Sequence, residues 1–271
     1  MTVRIFLRNR LRDFMVLAGM VTLLSMLFCS CKTLSMSSDG LFGSSSTSET
    51  SKENTSLDAR IDPDAGHWDI ASLDTAKDAD YLSAIEKDVV LEMNKVRNNP
   101  KQYAELYIQP ELGYYNGNLY SRPGQISIQT QEGKKAVEAC IAALSNMKSV
   151  PRLTPELGLS LGAKDHTADQ GKTGKTGHDG SDRSTPFTRI NRYGSGYTAA
   201  GENIAYGPTT GRELVVQLLI DDGVPSRGHR TNIMNKDFEQ TGISFGKHPE
   251  FRTICVITYA KDYVSNEFII D

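Results

Sequence analysis

An apolar helical stripe that runs into a carboxylate constrains this chain more than any other feature. In Arg212–Asp222 (RELVVQLLIDD), Val215, Leu218, Leu219 and Asp222 recur at i, i+3, i+4 and i+7, the spacing of one buried helix face. An ionised carboxylate on such a face is costly unless a cation or hydrogen-bond donor stands opposite it, so the fold must supply that partner. Asp221 shares the helix end with Leu214 and Leu218 and competes for the inward position; the stripe assigns it to Asp222. Gly223 and Pro225 then stop the helix, and Ser226-Arg227-Gly228 leads directly to His229.

Two more polar residues precede that helix. Gly201-Glu202-Asn203-Ile204-Ala205-Tyr206-Gly207 is bounded by glycines, and Ile204 and Tyr206 alternate as in a short strand or loop entering the core, with Glu202 at its mouth. His178 lies in Thr176-Gly177-His178-Asp179-Gly180. Two imidazoles and two carboxylates, His178, Glu202, Asp222 and His229, can hold a divalent cation or pass protons if the fold brings them to one cleft. Each also has a plainer reading. A histidine after glycine is commonly a turn residue, and Arg230 can pair with either aspartate as a surface salt bridge worth about 0–1 kcal/mol.

The rest of the chain reads as one α+β unit. Ile85, Val89, Met93 and Val96 predict a helix over Ser83–Arg97, ended by Asn98-Asn99-Pro100. A second helix is predicted over Pro155–Gln170, with Thr154 as N-cap and His166 on the face shared by Leu159 and Ala163, a core-edge position rather than a ligand position. Between them, Gly133–Met147 repeats Val137, Cys140, Ile141 and Leu144 at helical spacing, beyond an aromatic loop with Tyr114, Tyr115 and Tyr120. Thr241–Lys247 and Arg252–Ala260 read as an antiparallel hairpin. Gly242-Ile243-Ser244-Phe245-Gly246 matches a hydrolase nucleophile pattern, but that pattern needs a helix after the serine, and here a turn and a strand follow. Ser226, near His229, has no acid, base and oxyanion-hole set that can be assembled around it. The net charge of −3, with both signs mixed, lacks the basic patch that nucleic-acid binding requires. Cys140 and Cys255 fall on apolar faces of a helix and a strand and are expected as buried free thiols.

From about Tyr81 to Asp271 the chain resembles the CAP superfamily of cysteine-rich secretory proteins, antigen 5 and pathogenesis-related proteins, in a prokaryotic style. The resemblance rests on Leu161-Gly162-Ala163-Lys164-Asp165-His166-Thr167-Ala168-Asp169, Thr176-Gly177-His178-Asp179-Gly180, Gly201-Glu202-Asn203-Ile204, Gly228-His229-Arg230-Thr231-Asn232-Ile233 and the strand Thr241–Gly246. It implies a three-layer α-β-α sandwich with a small antiparallel sheet and an open cleft, lined by two histidines and two acidic residues that fall on His178, Glu202, Asp222 and His229. Aspartate is shorter than the glutamate common at that corner, and the disulfide cysteines of eukaryotic members are absent. The stretch near 100–150 is longer than a compact domain of this type needs. Either it extends one side of the cleft or it adds a helix that covers core surface.

Arg4, Arg8, Arg10 and Arg12 precede an apolar run over Phe14–Phe28, about 15 residues where a membrane span needs about 20, which reads as an export signal. Ser30-Cys31 resembles a bacterial lipobox, so cleavage after residue 30 and a lipid anchor at Cys31 are expected. Residues 31–80 begin with a Ser/Thr/Gly-rich flexible tether to about Ser56; beyond it Trp68 is the only tryptophan, in a segment that either docks on the domain or continues the tether. The folded CAP domain is placed at 81–271. Two functions follow. The first is a non-enzymatic, exported, membrane-tethered binding module whose cleft takes a lipid-like or peptide ligand, with Zn²⁺ or another divalent cation on His178 and His229. The second is a metal-assisted hydrolase with Glu202 as general base, which lacks the HExxH helix that holds two ligands rigidly. A metal-free, hydrogen-bonded tetrad is the structural alternative.

Overall fold

A computed structural model of the chain describes residues 65–267. The signal region, Cys31 and the Ser/Thr-rich segment lie outside the described residues. Helix α1 (Ile70–Leu73) leads to α2 (Ala84–Asn98), capped at Ser83 by a capping box with Glu86. Pro100 opens the next helix rather than a loop: α3 (Pro100–Tyr103) runs on through a π-turn (Ala104–Ile108) and a 3-10 segment (Gln109–Tyr114). A small antiparallel sheet of β1 (Tyr115–Asn116), β2 (Leu119–Tyr120) and β3 (Ile128–Gln129) precedes α4 (Lys134–Asn146). Then come β4 (Thr154–Pro155), α5 (Leu157–Thr173), α6 (Pro186–Ile190), β5 (Gly194–Ser195), β6 (Ala199–Tyr206), α7 (Gly211–Ile220) and α8 (Gly228–Ile233). The chain closes with β7 (Gln240–His248), β8 (Arg252–Lys261) and β9 (Val264–Ser265).

The main sheet has the order β4-β7-β8-β6, antiparallel except for the β4–β7 pair. Strand β8 shows why two helical layers are needed. Its odd residues Cys255, Ile257 and Tyr259 join the core of α2, α4 and α7, while its even residues Ile254, Val256 and Ala260 meet Ala163, Leu159 and Ile190 from α5 and α6. A strand apolar on both faces must be covered on both. The result is the expected three-layer α-β-α sandwich. Close approach of α5 to the sheet is set by Gly242, where a Cβ would stand 2.1 Å from the Leu159 carbonyl carbon.

Several predicted boundaries move for identifiable reasons. Thr154 and Pro155 pair with Gln240 and Thr241 in the sheet, so α5 starts at Leu157 with Glu156 at its N-cap rather than Thr154. The folded unit also begins well before residue 81. Trp68, Leu73 and Ala76 are buried, and the Trp68 indole N–H donates to the Tyr107 hydroxyl (2.9 Å). That tyrosine lies beneath Arg212, which pairs with the buried Glu92. Glu92 also accepts from Tyr103 (2.8 Å) and Lys95 (2.9 Å), so the segment assigned to the tether docks on a charged, aromatic-lined seat built by α2, α3 and α7. Among the described residues no helix is long and apolar enough to cross a membrane.

Candidate functional site

Strand β6 is an edge of the main sheet, and successive residues on it serve two polar assemblies. Glu202 points toward the α5–α6 layer. Its Oε1 accepts from His178 Nδ1 at 2.8 Å, and the Arg189 guanidinium donates to both its oxygens at 3.1 and 2.8 Å. Glu202 and Arg189 are buried, with side chains 1 and 2 % exposed, while the His178 ring is half exposed. Short helix α6 delivers the arginine: Thr185 caps it by accepting from Thr188 N, Pro186 fills its first turn, and Arg189 follows on its inner face. Arg189 also donates to the carbonyls of Ser184 and His178, tying the His178 loop to the same cation.

The second assembly overturns one expectation. Helix α7 ends at Ile220, and Asp221 adopts a left-handed conformation (φ 59°), which breaks the helical period before it reaches Asp222. Asp221 therefore turns inward, with its side chain 1 % exposed, and accepts from His229 Nδ1 at 2.6 Å and His229 N at 3.0 Å. Asp222 is no part of the cleft set; its carboxylate accepts instead from the main-chain N–H groups of Gln131 and Glu132, both at 2.8 Å. The assembly is thus His178, Glu202, Asp221 and His229. Its two halves are joined across β6: Asn203 donates to the His229 carbonyl (3.0 Å), and Asn232 donates to the Glu202 carbonyl (3.3 Å) and to Asn203 Oδ1 (2.9 Å).

Each carboxylate can only accept, so both histidines carry a proton on Nδ1, and Nε2 is the ring nitrogen that these carboxylates leave unengaged. Carboxylates that grip Nδ1 are the usual outer partners of metal-bound imidazoles. They orient the rings and are not themselves ligands. Among the described residues no group of three or more His, Cys, Asp or Glu is disposed to hold a metal ion. The donor chemistry leaves the two imidazoles, each gripped through Nδ1 by a carboxylate, as the side chains that could hold a cation. It does not fit a four-ligand structural zinc or a three-ligand catalytic one. Glu202 is buried, and its oxygens are engaged by His178 and Arg189.

Other polar residues singled out by the sequence have structural roles. His166 is fully buried, its Nε2 meets the Gly177 carbonyl at 2.8 Å, and burial lowers its pKa. Gln170 also donates to the Gly177 carbonyl, and the Gly177 N–H donates to the Tyr206 hydroxyl at 3.2 Å, so this cluster fixes the loop before His178. Ser244 is buried in the middle of β7, far from any strand-to-helix turn. Cys140 and Cys255 are free and buried, as expected. Arg189 and Asp221 are the members that sequence reasoning missed. The phrase Thr185-Pro186, a helix start, was the available signal for the first, but its ion pair spans 13 residues and two elements.

A three-layer sandwich with paired histidines and acids at the edge of its sheet sets the class, and the sequence comparison gives the family. Residues 92–259, more than half of the chain, match the model of the CAP, or cysteine-rich secretory protein, family. The chain belongs to that family. It is 31 % identical over 112 residues to protein YkwD of Bacillus subtilis, a match covering 41 % of each sequence, so the chain spans about two fifths of that relative. Among solved structures it is similar to an extracellular SCP-domain protein of Bacillus anthracis, with 24 % identity and a TM-score of 0.35, covering 41 % of this chain and 34 % of that one. It is also similar to an outer surface protein of Borrelia burgdorferi, with 21 % identity and a TM-score of 0.35, covering 48 % of this chain and 88 % of that one.

Proposed function

We propose that the chain is an exported, membrane-tethered CAP-domain binding module in which His178 and His229 offer paired Nε2 atoms to a divalent cation, Zn²⁺ first, beside a cleft for a peptide or lipid-like ligand. The observation that carries this reading is the pairing of each imidazole, through Nδ1, with a buried carboxylate. Such pairs fix the orientation of the ring and suit binding. The engagement of Glu202 by Arg189 argues against hydrolysis by a Glu202-activated water. Export and a lipid anchor at Cys31 are supported by the arginine-rich start, the apolar run and Ser30-Cys31.

Calorimetric titration of the purified protein with Zn²⁺ tests the metal reading, beside a His178→Ala/His229→Ala variant of matched circular dichroism. Binding near one equivalent in the parent only is the expected result; heat that survives in the variant, or none in either, rejects it. Fractionation tests the anchor: Cys31→Ala should leave the membrane fraction, and retention there would refute lipidation.

A further inference from the structure

The segment that lengthens this chain near residues 115–133 does not merely cover core surface. Residues flanking its strands β2 and β3 touch both ends of α7. Arg122 and Gln125 reach Glu213 in the first turn of α7, while Gln131 and Glu132 reach the loop beyond its last turn. That loop is Asp221–Arg227, the connection that aims His229.

Glu132 is the centre of this contact. Its Oε1 accepts from Gly223 N at 2.9 Å and from Arg227 Nη1 at 2.7 Å, and its Oε2 accepts from Arg227 Nη2, a forked ion pair. Arg227 Nη1 donates in turn to the Asp221 carbonyl at 2.6 Å. Both ends of the loop stand in left-handed conformations that non-glycine residues rarely adopt, Asp221 at φ 59° and Arg227 at φ 52°. Such conformations persist only where surroundings over-determine them. Here the surroundings are supplied by the inserted segment: Glu132 clamps Arg227 and Gly223, Asp222 is held by two of the segment's N–H groups, and the Gln131 amide packs so close to Gly223 that a Cβ there would meet it at 2.5 Å. Gly223 itself has φ 75°.

We infer that Glu132 is a positioning residue for His229: through Arg227 it holds Asp221 in the conformation that grips the His229 ring and points Nε2 outward. This inference rests on the reading of His229 as a cleft residue that meets ligand. It assigns the insertion the job of setting one half of the site while leaving the His178–Glu202–Arg189 half, on the opposite layer, untouched. The hydrogen bonds from Arg227 and Gly223 also hold the Glu132 carboxyl at about 2, well below its ordinary range, so the clamp is fully charged across the physiological range.

The test uses the full-length chain in detergent with ¹⁵N-labelled histidine, comparing parent, Glu132→Gln and a remote-surface control, Glu105→Gln. A carboxylate-bound Nδ1–H exchanges slowly and gives its own downfield proton signal. In Glu132→Gln the His229 signal should broaden or vanish while the His178 signal stays, and Zn²⁺ affinity should fall about 10- to 100-fold, the usual cost of losing an outer partner. An unchanged His229 signal, equal loss of both histidine signals, or unaltered Zn²⁺ affinity where the parent binds it would overturn the inference. If the parent takes no Zn²⁺, the metal reading fails by itself, and the His229 signal still decides the positioning role. Should Glu132→Gln not fold, Arg227→Lys, which keeps the charge but loses the fork, is read by the same signal and the same criteria.

Discussion

Replacing Arg189 with methionine isolates the largest electrostatic commitment in the candidate site. In the native protein the guanidinium and the Glu202 carboxylate are 2 and 1 % exposed and meet at 2.8 Å; the Ser184 and His178 carbonyls also accept from its Nη groups, and its Nε–H is buried without a partner among the described residues. Methionine keeps most of the volume and removes every donor. What remains is an ionised carboxylate buried against His178 alone, and breaking one side of a buried pair costs about 3–5 kcal/mol. Against a typical total of about 5–15 kcal/mol, that is a large share of the domain's stability. With a urea slope near 2 kcal/mol/M, the midpoint of unfolding should fall by about 2 M. The partner variant sharpens the test: Arg189→Met/Glu202→Leu removes both charges, so it should be more stable than the single Arg189→Met variant, since an apolar pair of similar volume is close to neutral. A loss below about 1 kcal/mol in the single variant, the value of an exposed ion pair, would refute the argument. So would a double variant less stable than the single one.

Three shorter predictions follow from the geometry. Gly242→Ala would drive a Cβ into the Leu159 and Ser160 main chain at 2.1 and 2.2 Å, where no side chain can yield; thermal unfolding should report a loss of about 3 kcal/mol or more, and a near-neutral variant would contradict the close α5–β7 packing. Burial pushes the Cys140 thiol up to about 12 and the Cys255 thiol still higher, so in a chain beginning at Lys32 neither should react with Ellman's reagent at pH 8 until the protein unfolds; prompt labelling of the native protein would place one at the surface. Because the Glu132 carboxyl is depressed to about 2 from an ordinary value of 4.5, its contribution to stability is complete above pH 4.5 and is lost as pH falls toward 2. The stability gap between parent and Glu132→Gln should therefore close over that window, and a gap constant from pH 6 to pH 2 would exclude the ion pair as its source.

Local signals explain what the sequence makes legible. Ser83 and Pro100 mark both ends of α2, and Thr241–Lys247 with Arg252–Ala260 announces the antiparallel hairpin of β7 and β8. The failures share one cause, long-range pairing that overrides local pattern. Helical spacing carried past Ile220 assigns the inward position to Asp222, but a single left-handed residue rotates the chain, and Asp221 takes it. Thr154-Pro155 looks like a helix start, yet β7 claims both residues as a strand. Trp68 reads as sparse in apolar neighbours because its seat is assembled from Tyr103 and Tyr107, more than thirty residues away. At the site, His178, Glu202 and His229 stand out by type and spacing, whereas Arg189 and Glu132 act through contacts that no short window contains.

The margins of the main sheet have a further consequence. Strand β4 is only two residues long, and beyond it helix side chains occupy the main-chain groups of β7: Glu86 accepts from Phe245 N at 2.8 Å, and Ser160 Oγ from Ile243 N at 3.3 Å. On the other margin, amides from Asn232 and Gln217 donate to the Glu202 and Tyr206 carbonyls of β6. Unpaired sheet margins are templates on which a second chain can grow. Stoppering those carbonyls and N–H groups with side chains from its own helices keeps neighbouring copies from zipping together strand to strand, so a high concentration of the protein need not become fibre formation.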